Sequence, residues 1–180
     1  HERGVPVVFT YHTPAVSCQR STLLRMGTEP CDGVLDRARC TACVLDDLGL
    51  NGAVRSIAGA VPVGVGRALG RRGFGGGVWT AARMPELMDR RLQATARLFA
   101  HVDCFVSLSP WVTRVLRAND VPAERIVASP HGIATPPMPA PAIPPIRSRH
   151  GARVRLVHLG RLDPTKGTAL LLRALAALGD

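Results

Sequence analysis

The sequence predicts an α/β protein whose strands run parallel in layers covered by helices. Short apolar runs rich in β-forming residues recur at 5–10, 104–108, 125–129 and 154–159. Between and after them lie segments with apolar residues at helical spacing,. Strands alternating with helices is the pattern of parallel α/β layers. A hydrophobic content of 46% is enough for a packed core,.

Residues 5–10 form a compact strand ending at Tyr11-His12-Thr13-Pro14,. Residues 18–50 read as a loop-rich, cysteine-bearing insert, with turn signals at Glu29-Pro30 and Asp32-Gly33 and a short apolar turn around 42–45,. Residues 51–77, rich in Gly, Ala and Arg, fit one or two short helices, and Gly75-Gly76-Gly77 marks a flexible break,. The spacing of Leu87, Arg91-Leu92, Thr95 and Leu98-Phe99 predicts a helix over 85–100,. A strand at 104–108 follows. Ser109 as N-cap and Pro110 in the first turn then open a helix over 110–118,. Asn119-Asp120 ends it, since Asn tolerates the left-handed cap conformation. Residues 125–129 are the third strand.

The stretch 136–145, dense in proline and alanine, cannot form a regular element and reads as a semi-rigid linker,. The expected organisation is therefore a first domain at 1–135 with its insert at 18–50, a linker at 136–150, and the start of a second domain at 151–180. The chain opens on His1 rather than Met and stops at Gly179-Asp180, just past a predicted helix. The expectation is an internal slice of a longer protein.

Charge narrows the class. Lys and Arg number 23 against 13 acidic residues, a formal charge of +10. Nucleic acid is not the expected partner: the arginines are scattered, and no basic patch interleaved with aromatics occurs,. A GC-rich coding sequence accounts for the arginine bias, while a basic face would still favour peripheral approach to an anionic membrane or a polyanionic acceptor. The apolar run 56–66 contains Pro62 between Arg55 and Arg67, far short of the ~20 residues a spanning helix needs,.

Four of the five cysteines, Cys18, Cys31, Cys40 and Cys43, fall early in the chain, and Cys40-Thr41-Ala42-Cys43 is a C-x-x-C pair. Four thiolates could close a tetrahedral structural zinc site and staple a loop without its own core. Reduced, loosely packed thiols and disulfides are the alternatives. A redox C-x-x-C would need a thioredoxin-like context that is absent here. Cys104, inside a strand, reads as a small core residue. His12 lies just past the carboxyl end of a strand, where open α/β sheets place ligands. It is either a binding or catalytic imidazole or a loop histidine bonded to a local carbonyl. Thr13 and Ser17 offer hydroxyls nearby, and Arg20 and Arg25 are lower-ranking phosphate contacts.

The most telling stretch is V-R-L-V-H-L-G-R-L-D-P-T-K-G-T-A-L-L-L-R-A-L, Val154 to Leu175. A strand ends at Gly160, a helix begins near Thr168, and Arg161 and Lys166 sit in the turn between them. A helix amino end is already partly positive, so cations beside it imply an anion. Lys166 is the only lysine in the chain, a compact point charge suited to phosphate.

G-R-L-D-P-T-K-G resembles the turn that opens the second domain of the GT-B glycosyltransferases of retaining family four. The stretch from Cys104 to Ile133 is similar to the segment that closes that family's first domain. H-T-P-A-V-S-C-Q-R-S-T-L-L-R-M-G, with C-D-G and R-C-T-A-C-V-L after it, is similar to a subgroup with a cysteine-bearing insert. The resemblance implies a GT-B fold of two Rossmann-like domains, here a partial N-terminal domain plus the first strand-helix unit of the C-terminal one. It implies sugar transfer from a nucleotide-diphosphate donor (UDP-, GDP- or similar) to a hydroxyl of a sugar or lipid-linked acceptor, with retention, in glycan, glycolipid or cell-envelope polysaccharide synthesis. Arg161, Lys166 and Gly160 would hold the donor diphosphate, and His12 would meet the transferred sugar as the catalytic-side residue. No cofactor is required if two cations take the diphosphate, leaving zinc a structural role. The implied location is cytoplasmic, at the inner face of the membrane, where disulfides would not form. The family's glutamate pair would lie beyond residue 180, so this slice alone is expected to be inactive. The rival readings are a zinc-stapled, basic nucleic-acid-binding module and another GT-B-like enzyme sharing the diphosphate turn.

Overall fold

The computed structural model describes residues 4–132, 156–160, 162 and 166–178. The chain falls into two units, His1–Gly132 and Ile133–Asp180. In the first, β1 (Val8–Tyr11) leads through a 3-10 turn at Pro14–Val16 into a small hairpin of β2 (Leu24–Arg25) and β3 (Glu29–Pro30). Four helices follow: α1 (Arg37–Asp47), α2 (Gly52–Gly59), α3 (Val63–Arg71) and α4 (Gly77–His101). The chain then forms β4 (Cys104–Ser107), α5 (Pro110–Ala118) and β5 (Ile126–Ala128).

The sheet has the order β1-β4-β5, with both pairings parallel. Phe105 sits in register with Phe9 on one side and Ile126 on the other. Parallel neighbours require crossovers. The insert and α1 to α4 connect β1 to β4, and α5 connects β4 to β5. The expected α/β class with parallel strands is what the first unit shows.

Two cores hold this unit. Tyr11, Val102, Phe105, Val112, Val115, Leu116 and Val121 form the sheet-side core. Phe99 and Phe105 meet edge to face with centroids 5.2 Å apart, a favoured aromatic geometry. Val44, Leu45, Ala58, Ala81, Met84 and Met88 form the second core, among α1, α2 and α4. Against it, α3 lies close to α4 because Gly66 and Gly70 lack side chains. A Cβ on Gly66 would stand 2.7 Å from Glu86 Cβ, and one on Gly70 2.6 Å from Arg83 Nη2. Glu86 is buried there and paired with Arg83 at 3.2 Å and Arg90 at 3.5 Å, as a buried charge requires.

Several elements differ from expectation. The first strand starts at Val8, three residues late, where pairing with Cys104 of β4 begins. The turn expected around 42–45 is the middle of an 11-residue helix, α1, capped by Asp36, whose side chain accepts from the Arg39 amide. The glycine run is the entry to α4 rather than a break: Gly76 and Gly77 take φ values of 79° and 46°, which a side chain disfavours,. The helix expected from residue 85 thus starts eight residues earlier, at Gly77, because Ala81 and Met84 are drawn into the second core. Pro85 lies inside α4 and leaves one rung of its ladder unmade,. After α5 the left-handed residue is Asp120 (φ 62°), not Asn119. The Asn119 side chain instead reaches out, donating to Gly33 O and Val115 O and accepting from the Leu35 amide.

In the second unit the described residues 156–159 are not a strand, and Leu156, Val157 and Leu159 are exposed. A parallel strand needs neighbours for its amides and carbonyls, and no strand pairs with this segment among the described residues. The helix is present as α6 (Thr168–Ala177). The expected linker at 136–150 lies outside the described residues. Among the described residues, no helix is long and apolar enough to cross a membrane.

Candidate functional site

The carboxyl edge of the sheet gathers the polar groups of the first unit. His12 follows the last residue of β1, Ser107 ends β4, and His131 lies three residues past β5. Open parallel sheets bind ligands at this edge because the strand ends fan into loops there. The loop carrying His12 is anchored from below. Buried Tyr11 bonds through its hydroxyl to Ser17, and Ser17 Oγ donates to Pro14 O at 3.4 Å. Burial raises the Tyr11 hydroxyl above its ordinary pKa, so it stays protonated as a donor,. Arg91, from α4, donates to Ala15 O and pins the same loop. His12 is left exposed at its rim.

The structure brings a partner to His12 that the sequence reading did not assign. The His131 ring stands 5.4 Å from the His12 ring, nearly perpendicular at 87°. Beside β4 and β5, a cavity of about 520 Å³ is lined by Ser107, Ser109, Thr113, Arg114, Ala128 and Pro130 among others. Ser107 Oγ donates to Ser109 O at 2.9 Å and lies 2.8 Å from Thr113 Oγ1. Ser109 caps α5 by accepting from the Val112 amide, as expected. The two imidazoles meet at the edge of the sheet and Arg114 lines the cavity, groups suited to hydroxyls and anions respectively,. The signal that would have found His131 is its place after a strand end, as for His12. Ser17 is buried and committed to Tyr11, which removes it as a ligand.

The four early cysteines converge on a second feature. Cys18, Cys31, Cys40 and Cys43 all line one small cavity of about 30 Å³, with Arg20, Arg25, Arg39 and Leu24 among its other walls. Cys104 lies in β4, apart from it. Among the described residues, no three Cys, His, Asp or Glu side chains stand ready as a ligand set. Cys43 Sγ faces Leu24 O at 3.8 Å, and Cys31 Sγ faces Asp32 Oδ1 at 3.8 Å. Burial pushes the Cys40 thiol up, more than a backbone hydrogen bond from Asp36 and the charge of Arg39 draw it down. A raised thiol is a poor redox nucleophile. Arg20 is committed within the fold, pairing with Asp46 at 3.6 Å and Asp47 at 3.0 Å and donating to Cys43 O at 3.2 Å. Arg25 is exposed on β2.

In the second unit, Arg161 lies outside the described residues. Lys166 is exposed, one residue before Gly167, the left-handed N-cap of α6. Gly167 brings no side chain to that cap, so the first α6 amides have no side-chain acceptor,. His158 Nε2 lies 3.0 Å from Thr168 Oγ1, which brings the His158 ring to the start of α6.

Compared with known proteins, the chain matches no family model, no curated protein and no solved structure.

Proposed function

We propose that this chain belongs to a retaining glycosyltransferase that moves a sugar from a nucleotide-diphosphate donor to a hydroxyl acceptor. The observation that carries the reading is the uncapped start of α6 with Lys166 beside it. Its amides lack a side-chain cap, Lys166 stands beside them, and the His158 ring meets Thr168 in the first turn. An uncapped helix start with a lysine at its rim suits a diphosphate. Cleavage of the donor bond leaves negative charge on that diphosphate, and cations held in place would stabilise it as it develops. Lys166 and Arg161 supply those cations, and Gly160 lets the phosphates approach the backbone.

The first unit would receive the acceptor at the carboxyl edge of its sheet. There His12 would bond a hydroxyl of the transferred sugar, with His131 setting its ring against one face. The chemistry needs no cofactor. A lipid-linked acceptor and the basic surface fit work at the inner face of a membrane. A parallel α/β unit with two imidazoles at the carboxyl edge of its sheet supports this reading.

Turnover of UDP- and GDP-sugars by the full gene product tests the proposal. Lys166→Ala should cut turnover at least ~100-fold with fold and expression unchanged, the scale for removing one charge stabiliser. Near-normal turnover would remove Lys166 from the site. Tight, salt-sensitive binding to DNA or RNA without donor turnover would favour the nucleic-acid reading instead.

A further inference from the structure

We propose that Cys18, Cys31, Cys40 and Cys43 bind one zinc ion through four thiolates, and that this ion holds the 18–33 insert against α1. Three independent features of the structure lead there. The first is convergence. The four cysteines come from three places: the loop after the 3-10 turn, the residue after β3, and two positions of α1. Cys40 and Cys43 are spaced i, i+3 on a helix, which puts both on one face. All four line a single cavity of about 30 Å³, and the fifth cysteine does not, so the grouping is not simply a consequence of where cysteines occur.

The second is charge. Four thiolates on Zn²⁺ carry a net double negative charge, which a weakly hydrated interior tolerates only beside cations. Arg20, Arg25 and Arg39 line the same cavity. Asp46 and Asp47 hold the Arg20 guanidinium at that wall and Asp32 holds that of Arg39, so the cations are positioned there before any anionic centre forms.

The third is the backbone. Between Cys18 and Gly33 the strands are two residues each, and only Leu23 and Gly33 are buried. Ser21, Leu23 and Met26 nonetheless hold left-handed φ values of 57°, 52° and 49°. Non-glycine residues persist in that region only where surrounding structure over-determines them. Leu23 is the one large apolar side chain buried in this segment, and its other ties are a few polar contacts: Arg20 to Asp46 and Asp47, and Asn119 to Gly33. A tetrahedral metal supplies the missing constraint. The thiols line the cavity without forming a finished ligand set. Metal entry would therefore be coupled to local closure of the insert, each thiol giving its proton to solvent as it binds. Zinc fits because it is borderline-soft, takes four sulfurs without a redox change, and matches a tetrahedral set.

The test is metal content of the intact protein purified under reducing conditions without chelator. Elemental analysis should find about one zinc per chain, the stoichiometry of a closed four-ligand site. Cys104→Ser should keep that zinc. Cys18→Ser and Cys43→Ser should each lose zinc affinity at least ~10-fold in competition with a chromogenic chelator, the scale for perturbing a zinc site. Should those variants fail to fold, cobalt exchange into the unaltered protein gives a second readout: thiolate-to-cobalt charge transfer with tetrahedral d–d bands. Folded protein that holds no metal, or holds iron instead, would overturn the proposal. So would retention of full zinc by both serine variants, or an intact mass deficit from disulfides. None of these outcomes bears on turnover of a nucleotide sugar, so the site stands or falls apart from the catalytic reading.

Discussion

Phe105 is fully buried in β4, with Phe9 and Phe99 set around its ring. Leu116, in the last turn of α5, is equally buried. In the 18–33 insert, by contrast, the backbone turns left-handed at three non-glycine residues, and its anchors are polar: Arg20 to Asp46 and Asp47, and Asn119 to Gly33. The sheet-side core follows from apolar spacing, which many similar sequences would satisfy. The insert depends on individual contacts, each replaceable only by something of the same shape. One region is held by area and the other by particular bonds, so substitutions should separate them.

The largest effect belongs to the core. Phe105→Ala should destabilise the first unit by about 4 kcal/mol through lost burial and the cavity left behind. Urea unfolding followed by fluorescence and by far-UV signal should show both moving together. A loss below about 1 kcal/mol would mean the ring does not lock the sheet.

Gly33 is where the two regions touch. It takes φ +78°, and an added Cβ would lie 2.9 Å from both γ-carbons of Val115. Gly33→Ala should therefore cost about 2 kcal/mol, from strain and overpacking together. On a Val115→Ala background the overpacking part should disappear while the strain part remains, giving a coupling measurable in a double-mutant cycle. Equal costs on both backgrounds would show that the insert is not seated on α5.

The same contrast explains what the sequence made legible. The α5 boundaries follow from Ser109 and Pro110, because capping is decided by two or three adjacent residues. His12 and the cysteine grouping were legible from chain position and spacing. The start of α4 was not: Gly75-Gly76-Gly77 reads locally as a break, and only contact of Ala81 and Met84 with the second core makes it a helix entry. Tertiary burial overrode local propensity there. Nor could the sequence announce left-handed backbone at Ser21, Leu23 and Met26, since nothing about those residue types favours it. His131 escaped notice because its significance is a distance to His12, a quantity only the folded sheet defines.

Ser109→Ala gives a smaller change, about 1 kcal/mol, from loss of the side-chain acceptor for the Val112 amide,. Because α5 packs its Val112, Val115 and Leu116 into the sheet-side core, hydrogen exchange should quicken at the first turn of α5 and not in β2 or β3. Faster exchange in the hairpin would mean the two regions are coupled through α5 more tightly than their separate anchoring implies.

The smallest effect tests the insert by pH. Arg39 donates to both carboxylate oxygens of Asp32, at 2.9 and 2.8 Å. These bonds, outweighing a modest burial penalty, hold the Asp32 carboxyl below its ordinary pKa. A carboxyl lowered in the folded state stabilises the fold above its unfolded pKa, and that stabilisation fades as pH falls through the lowered value. With the Asp32 side chain 54% exposed, solvent screening limits the contribution to about 0.5 kcal/mol. Asp32→Asn should therefore lower stability slightly at neutral pH and by progressively less toward acid, the two proteins converging once the wild-type carboxyl is protonated. Parallel curves with no convergence would place the ion pair outside the forces that seat the insert, leaving Arg20, Asn119 and the thiols to hold it.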